Sequence, residues 1–530
     1  MLKFGLHNLR RLTNIDPVEL KPITILVGRN SSGKSSFLRT LPLIRQSLST
    51  RISSPILWYG DFVDFGSFES SSGSKSRTDP IIFSFELDEL TVSNTPGPYV
   101  SRSRVYDDDY KDIRLDVSVI PFRERTRISE IKISIGSWYN TIYILKIDEG
   151  ERVVSLSVNG VECLNDIKPY VILVRSTSLF PDLLVFDPDA GTAGGQTFTP
   201  FVATTEQIKF YKSLNTLLKP HMDGRIKREK IDSLLVDMIA GGFPHANHIR
   251  NFGKAGPKVL TNFLNDLTGN DTRGIYGSVE RVLAVSALVP LLRAMSAKLR
   301  TILVSTLYIG PARARSERYY RYQDLAVSEI DPDGKNLPIF LNSLTSRQIG
   351  NLSNWINSLF DYGISISRER DHISIKLIES NHQPNIVDVG YGISQILPVL
   401  GQIWWAKYRP RRQTNRSDLT MLAIEQPELH LHPAHQALLA DAFVGIIQAT
   451  TSPHNDSRVH YIVETHSETL INRLGELVAE KKIEHDDVQI ILFERDMNDD
   501  RVTNTKTVNF DAEGALVDWP FGFFQPNLRD

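Results

Sequence analysis

Gly28-Arg29-Asn30-Ser31-Ser32-Gly33-Lys34-Ser35 is the stretch that decides how this chain folds. It fits the pattern G-x-x-x-x-G-K-[ST], and its flanks have the form that pattern needs. Ile23–Val27 reads as a buried strand before it, and Ser36–Ser47 as a helix after it. Glycines let the backbone curl so that successive N–H groups converge on phosphate oxygens, and the following helix presents the positive end of its dipole to the same point. Lys34 is then placed to reach the β- and γ-phosphates, and the Ser35 hydroxyl to ligate Mg²⁺. Gly28, Asn30, Gly33, Lys34, Ser35 and Ser36 are the expected ATP-binding residues.

Outward from this loop the pattern changes several times. Leu2–Leu6 and Val18–Leu20 read as short strands ahead of it. From about Pro55 to Asp187 the chain is β-rich, with Ile81–Leu87, Leu115–Ile120, Glu130–Ile135, Thr141–Ile147 and Val153–Val158 alternating or running apolar. The polar stretch Glu69–Asp79 and the acidic run Asp107–Asp109 are expected to be exposed loops. Gly191–Gly195 breaks the pattern, and residues from about Thr204 to Leu303 carry apolar side chains at helical spacing. After Ile309 the chain is mixed α/β. Two apolar strands there, Leu419–Ile424 and His460–Val463, lead into turns rich in functional side chains.

Composition narrows the class. A chain of 530 residues is too long for one ordinary core, so two or more lobes are expected. Hydrophobic residues at 41% and charged residues at 23% fit a soluble globular protein. Sixty basic residues against 62 acidic ones give no global pull toward nucleic acid or membrane, so any basic surface is local. A single cysteine, Cys163, excludes an internal disulfide or a Cys-rich zinc site and fits a reducing compartment. The N-terminal residues lack a signal-peptide core, and no uninterrupted apolar run is long enough to suggest a membrane span. A cytoplasmic location is the expectation.

A second cluster follows the strand Met421–Ile424: Glu425-Gln426-Pro427-Glu428-Leu429-His430-Leu431-His432-Pro433. A nucleotide site needs a carboxylate at the end of a buried parallel strand beside the P-loop strand. Glu425 fits that place, holding Mg²⁺ directly or through water, with a second group orienting the attacking water. His430, His432 and His435 invite a zinc reading, but no further Cys or His cluster completes a shell.

In order along the chain, GRNSSGKSS, VGYGISQILPVL, LAIEQPELHLHP and VETHSE resemble the motifs of the ABC-type ATPases of the RecF, SMC and OLD group. More narrowly they resemble the ATPases of prokaryotic anti-phage operons, of the Septu-type and retron-linked kind. YIGPARARSERYY at Tyr308–Tyr320 and DWPFGFF at Asp518–Phe524 agree with this. The resemblance covers both ends of the chain and little of residues 90–300. It implies an α/β fold: an ABC-type P-loop NTPase head with a long inserted β-rich and helical region. The implied division is an ATPase lobe at 1–200, a helical insertion at 201–303 that projects from the head, and a second ATPase lobe at 304–530. It also implies that Gly392, Ser394 and Gln395, in a signature-like helix start, touch the γ-phosphate held by a second protomer. His466 is similar to the switch histidine on the γ-phosphate. The catalytic set implied is Glu425, Gln426, Glu428 and His466, with Ser35 and Glu425 on Mg²⁺.

One residue departs from the group. Where most ABC ATPases carry a catalytic glutamate after the Walker B acid, this chain has Gln426. Glutamine can orient a water by hydrogen bonding, as it does in small GTPases, but cannot take a proton. Either Glu428 supplies the carboxylate, or hydrolysis is slow and ATP acts mainly as a clamp. Asp64–Phe68 is the best candidate for a Q-loop. Arg313–Arg318, Arg225–Lys230 and Lys407–Gln413 read either as solvated faces or as contacts to nucleic acid, and the first also as a face toward nucleotide or dimer seam. The four aromatics of Trp519–Phe524 read as packing or as a partner patch. Only 64 residues follow His466, so a fused nuclease module is not expected. The resemblance thus points to a homodimer or higher oligomer that sandwiches ATP and controls a separate effector such as an HNH nuclease. A RecF-like protein acting on DNA is the alternative.

Overall fold

The computed structural model describes residues 1–73, 79–94, 106–136, 140–186, 210–221, 227, 235, 239, 274–325, 327–379, 382–409, 419–450, 458–496, 499 and 502–520. Gly191–Gly195, Arg225–Lys230 apart from Lys227, residues 410–413 and residues 521–524 lie outside these, as do the expectations placed on them. The chain forms two compact units.

One unit gathers Leu6–Thr50, Leu57–Arg77 and Thr301–Asp530. Its centre is a six-stranded sheet in the order Leu307–Ile309, Leu419–Glu425, Arg458–Glu464, Ile23–Gly28, Val488–Arg495, Thr503–Asn509. The first five are parallel, and the last pairs antiparallel with its neighbour. Ile23, Ile25, Leu26 and Val27 are fully buried. A strand apolar on both faces belongs in the middle of a parallel sheet covered on both sides. Helices Lys34–Ser49, Tyr391–Tyr408, Pro433–Thr450 and Glu468–Ala479 belong to this unit. The Tyr391–Tyr408 helix buries Ile396, Leu400, Ile403 and Trp404 in the same core that holds Leu422, Val463 and Leu492. The carboxyl ends of the parallel strands come together at Glu425, Glu464 and Gly28, where α/β sheets bind their ligands.

The other unit gathers Met1–Gly5, Arg51–Ile56 and Thr78–Arg300. Strands Ile81–Asn94, Tyr106–Phe122, Arg125–Ile135, Thr141–Ile147 and Val153–Val158 form an antiparallel meander. Their alternation puts Phe83, Leu115, Ile133 and Leu145 in the core. Most of the helix Ile275–Val304 belongs to the same unit, with Val285, Leu288, Leu291, Leu292 and Met295 buried. Tyr143 donates to the Ala284 carbonyl at 3.1 Å, and Arg281 pairs with Asp166 at 2.6 Å. Gly277–Val304 is long and apolar enough to cross a membrane by length and composition, although Arg293, Lys298 and Arg300 interrupt its apolar run; 72% of its most apolar stretch is buried inside the structure.

Two expectations are corrected. The acidic run Asp107–Asp109 lies within the strand Tyr106–Phe122 rather than in a loop, in register with Ser93, Val92 and Thr91. Cross-strand pairing overrides the low strand propensity of Asp, and Thr91 Oγ1 donates to Asp109 Oδ1 at 2.7 Å. The linear division at 200 and 303 is not how the compact units group the chain. The β-rich strands join the long helix, and the P-loop segment joins the C-terminal half, because strand pairing and helix burial are settled over long sequence separations. The described part of the helical section is a core element of its unit, with Val285, Leu288 and Leu292 buried.

Candidate functional site

The P-loop turn uses its two glycines for different reasons. Gly33 has φ 99° and caps the helix Lys34–Ser49, and a Cβ there would lie 2.6 Å from Leu12 Cδ2. At Gly28 a Cβ would lie 2.4 Å from the Phe493 carbonyl oxygen on the neighbouring strand. Ser31 also takes a left-handed conformation, φ 62°. The C-terminal hairpin braces the turn: Arg495 Nη2 donates to the Asn30 carbonyl at 2.8 Å, and Thr503 Oγ1 to the Ser32 carbonyl at 2.9 Å.

The turn opens on a cleft of about 390 Å³ lined by Arg10, Arg11, residues Asn30 to Ser36, Gln426, Glu464 and His466. Lys34 is buried. Its Nζ donates to the Gly28 and Arg29 carbonyls at 2.9 Å each and lies 3.9 Å from Glu464 Oε1. Burial lowers its pKa, against the opposing pull of Glu464. Ser35 Oγ donates to Glu464 Oε1 at 2.8 Å. Glu464 is 3% exposed, and its Oε2 has no hydrogen-bond partner. Burial raises its pKa; the Ser35 bond opposes this and the Glu425 charge adds to it. His466 is held at a lowered pKa by burial and then by the Lys34 charge.

Glu425 is also buried, but its charge is already met. Arg39 grips it in a bidentate pair, Nε to Oε1 and Nη2 to Oε2, both 2.7 Å. Tyr308 donates to Oε1 at 2.7 Å. The Arg39 pKa is raised, first by its bond to Glu425. Arg313 donates from Nη2 to the Glu425 and Gln426 carbonyls at 3.0 and 3.2 Å, and burial lowers its pKa to about 10. The first arginine of the 313–318 stretch is therefore buried against the strand end rather than solvated, whereas Arg318 is exposed and pairs with Asp388.

The expected residues are brought together only in part. Asn30, Gly33, Lys34, Ser35, Ser36, Gln426 and His466 line one cleft. Glu428 does not line it: its Oε1 accepts the His466 backbone N–H at 2.8 Å, which makes it a support for the histidine's backbone. Gly392, Ser394 and Gln395 do not line it either. Ser394 donates to the Tyr391 carbonyl at 2.7 Å, within the start of its own helix, and Gln395 donates to the Ala314 carbonyl at 3.2 Å, in the stretch after the strand Leu307–Ile309. Asp64 accepts from the Gly66 N–H at 2.7 Å and Ser67 caps the short helix Phe68–Ser71, away from the cleft lining. One placement is corrected. The strand beside the P-loop strand is Arg458–Glu464, and Glu425 ends the next one out. Sequence reading gave Glu464 no role, although it stands inside VETHSE; strand order, which alone brings it to Ser35, is not written in any local pattern.

The donor set can be tested against a nucleotide and its metal. Mg²⁺ takes hard oxygen ligands, and the Ser35 hydroxyl and the Glu464 carboxylate with its unpartnered buried Oε2 are such donors. The glycine-lined turn and Lys34 suit the phosphates. The residues fit the pair. A family described as an AAA ATPase domain matches residues 323–471, a stretch that holds Glu425, Glu464 and His466 and begins long after the P-loop. This is a P-loop ATPase fold. Among solved structures, the chain is similar to the SMC head domain from Thermotoga maritima at 9% identity, over 95% of this chain and 97% of that chain, with a TM-score of 0.31. It is also similar to the recombination mediator protein RecF in the RecFOR pathway at 11% identity, over 95% and 98%, with a TM-score of 0.25. Likenesses this loose carry no argument about how this chain is arranged. No curated protein matches it.

Proposed function

We propose that this chain binds and slowly hydrolyses ATP with Mg²⁺, and that the nucleotide pairs two copies which control a separate effector, such as an HNH nuclease, in a prokaryotic anti-phage system. The observation that carries the ATPase part is the cleft where Lys34 and Ser35 meet Glu464, His466 and Gln426. In this reading Lys34 neutralises phosphate charge and Gln426 orients the attacking water. His466 reaches the terminal phosphate from a backbone fixed by Glu428. Bound Mg²⁺ would stabilise charge developing on the phosphoryl oxygens. Gly392 and Ser394 stay outside their own chain's cleft, and a second copy offering that helix start to the P-loop would complete the site.

The test is calorimetric ATP binding and turnover on the purified chain, then light scattering with and without ATP and Mg²⁺. Binding with an ATP-dependent rise to a dimer is the expected result; a chain that binds no ATP defeats the proposal. Co-purification with the proteins encoded beside it then examines the effector. Salt-dependent DNA binding by the chain alone, without such a partner, favours the DNA-repair alternative.

A further inference from the structure

We propose that the carboxylate meeting the nucleotide-bound divalent cation together with Ser35 is Glu464, and that Glu425 is a structural anion; this rests on the ATPase reading above. The order of strands puts Glu464 next to the P-loop strand and Glu425 one strand beyond. Hydrogen bonding separates the two further. Three donors already fall on Glu425, and Arg39 cancels its charge. Freeing it for a metal would break this bidentate pair and leave a half-buried guanidinium without its counter-ion, which is unfavourable. Glu464 has one oxygen on the Ser35 hydroxyl and the other, buried, on nothing. A buried carboxylate oxygen without a partner is unfavourable unless a ligand supplies one. Ser35 and Glu464 therefore form a pair of hard oxygen donors that opens onto the cleft, 429 residues apart in the chain.

The experiment titrates a fluorescent ATP analogue onto the full chain in EDTA, Mg²⁺ or Cd²⁺. It compares wild type with Glu464→Gln, Glu464→Cys and Glu425→Cys, each first checked by thermal melting. Cys163, the chain's own thiol, is buried and does not compete. Wild type is expected to bind more tightly with Mg²⁺ than in EDTA. Glu464→Gln should lose about 10-fold or more of that gain while keeping its EDTA affinity. Glu464→Cys should lose the gain with Mg²⁺ and recover it with Cd²⁺, since a thiolate prefers a soft ion. Cd²⁺ recovery in Glu425→Cys but not in Glu464→Cys overturns the proposal, as does a full Mg²⁺ gain in Glu464→Gln. If either Glu464 variant fails to melt cooperatively, the other decides. A wild-type chain that binds no nucleotide overturns the ATPase reading and this proposal with it; wild-type binding with unaltered variants overturns this proposal alone.

Discussion

Lys34 is a buried cation held by two carbonyl groups of its own loop. Its replacement by alanine removes the charge that phosphate oxygens would meet and should weaken ATP binding at least about 10-fold, read by calorimetry. Gln426 and Glu428 carry a sharper prediction. Gln426 lines the cleft, whereas Glu428 lies outside its lining with one oxygen on the His466 N–H. Gln426→Glu, which installs a proton acceptor, should raise turnover by about 10-fold or more. Glu428→Gln retains an acceptor oxygen and should leave turnover within about 2-fold, whereas Glu428→Ala should lower it by releasing the His466 backbone. Robust wild-type turnover abolished by Glu428→Gln would instead make Glu428 the acting carboxylate. At this scale the chemistry of Gly28–Ser35 was legible, because the P-loop is a local pattern whose meaning needs only its own neighbours. Arg39 and Tyr308 were not, because nothing local pairs them with Glu425 across 386 and 117 residues.

The strand Arg458–Glu464 carries more than Glu464. His460 sits buried within it, its Nδ1 2.8 Å from the Leu20 carbonyl, and burial lowers its pKa to about 4. The unfolded chain binds this proton near pH 6.5, so the folded state's advantage is complete above that value and is lost as pH falls toward 4. The displacement is worth on the order of 3 kcal/mol. Urea unfolding at pH 7 and pH 5 should show a drop in stability that His460→Gln diminishes. The helix Lys34–Ser49 offers another check. Gly33→Ala meets Leu12 at a left-handed φ, and should lower stability by about 1–3 kcal/mol in a thermal melt. Element identity read well from periodicity: Thr141–Ile147 and Val153–Val158 stand where apolar alternation puts them. Element order did not, since parallel pairing of Ile23–Gly28 with Arg458–Glu464 is decided by which buried faces fit together in the whole sheet.

Across the whole molecule, the two compact units are each assembled from several separated stretches of chain. That interleaving is invisible to a reading that moves along the sequence and marks boundaries where composition shifts. The dimer proposed above makes a prediction at this scale. Glu464→Gln should lower the ATP-induced increase in mass seen by light scattering, and Ser394→Arg should abolish it while leaving ATP binding by the single chain intact, because Ser394 lies outside its own cleft.

The hairpin that braces the P-loop has a consequence for how the protein is made. Thr503 reaches the Ser32 carbonyl across 471 residues, and Arg495 reaches Asn30 across 465. A ribosome adding about 5–20 residues per second delivers Lys34 roughly 20 to 90 seconds before the strands that hold its loop in shape. Through that interval the nascent chain carries the nucleotide motif without its frame, so ATP cannot reward early folding of the N-terminal segment. Chains stopped before Val488 should stay unresponsive to ATP and draw on chaperones, and the nucleotide site becomes a checkpoint on completed synthesis.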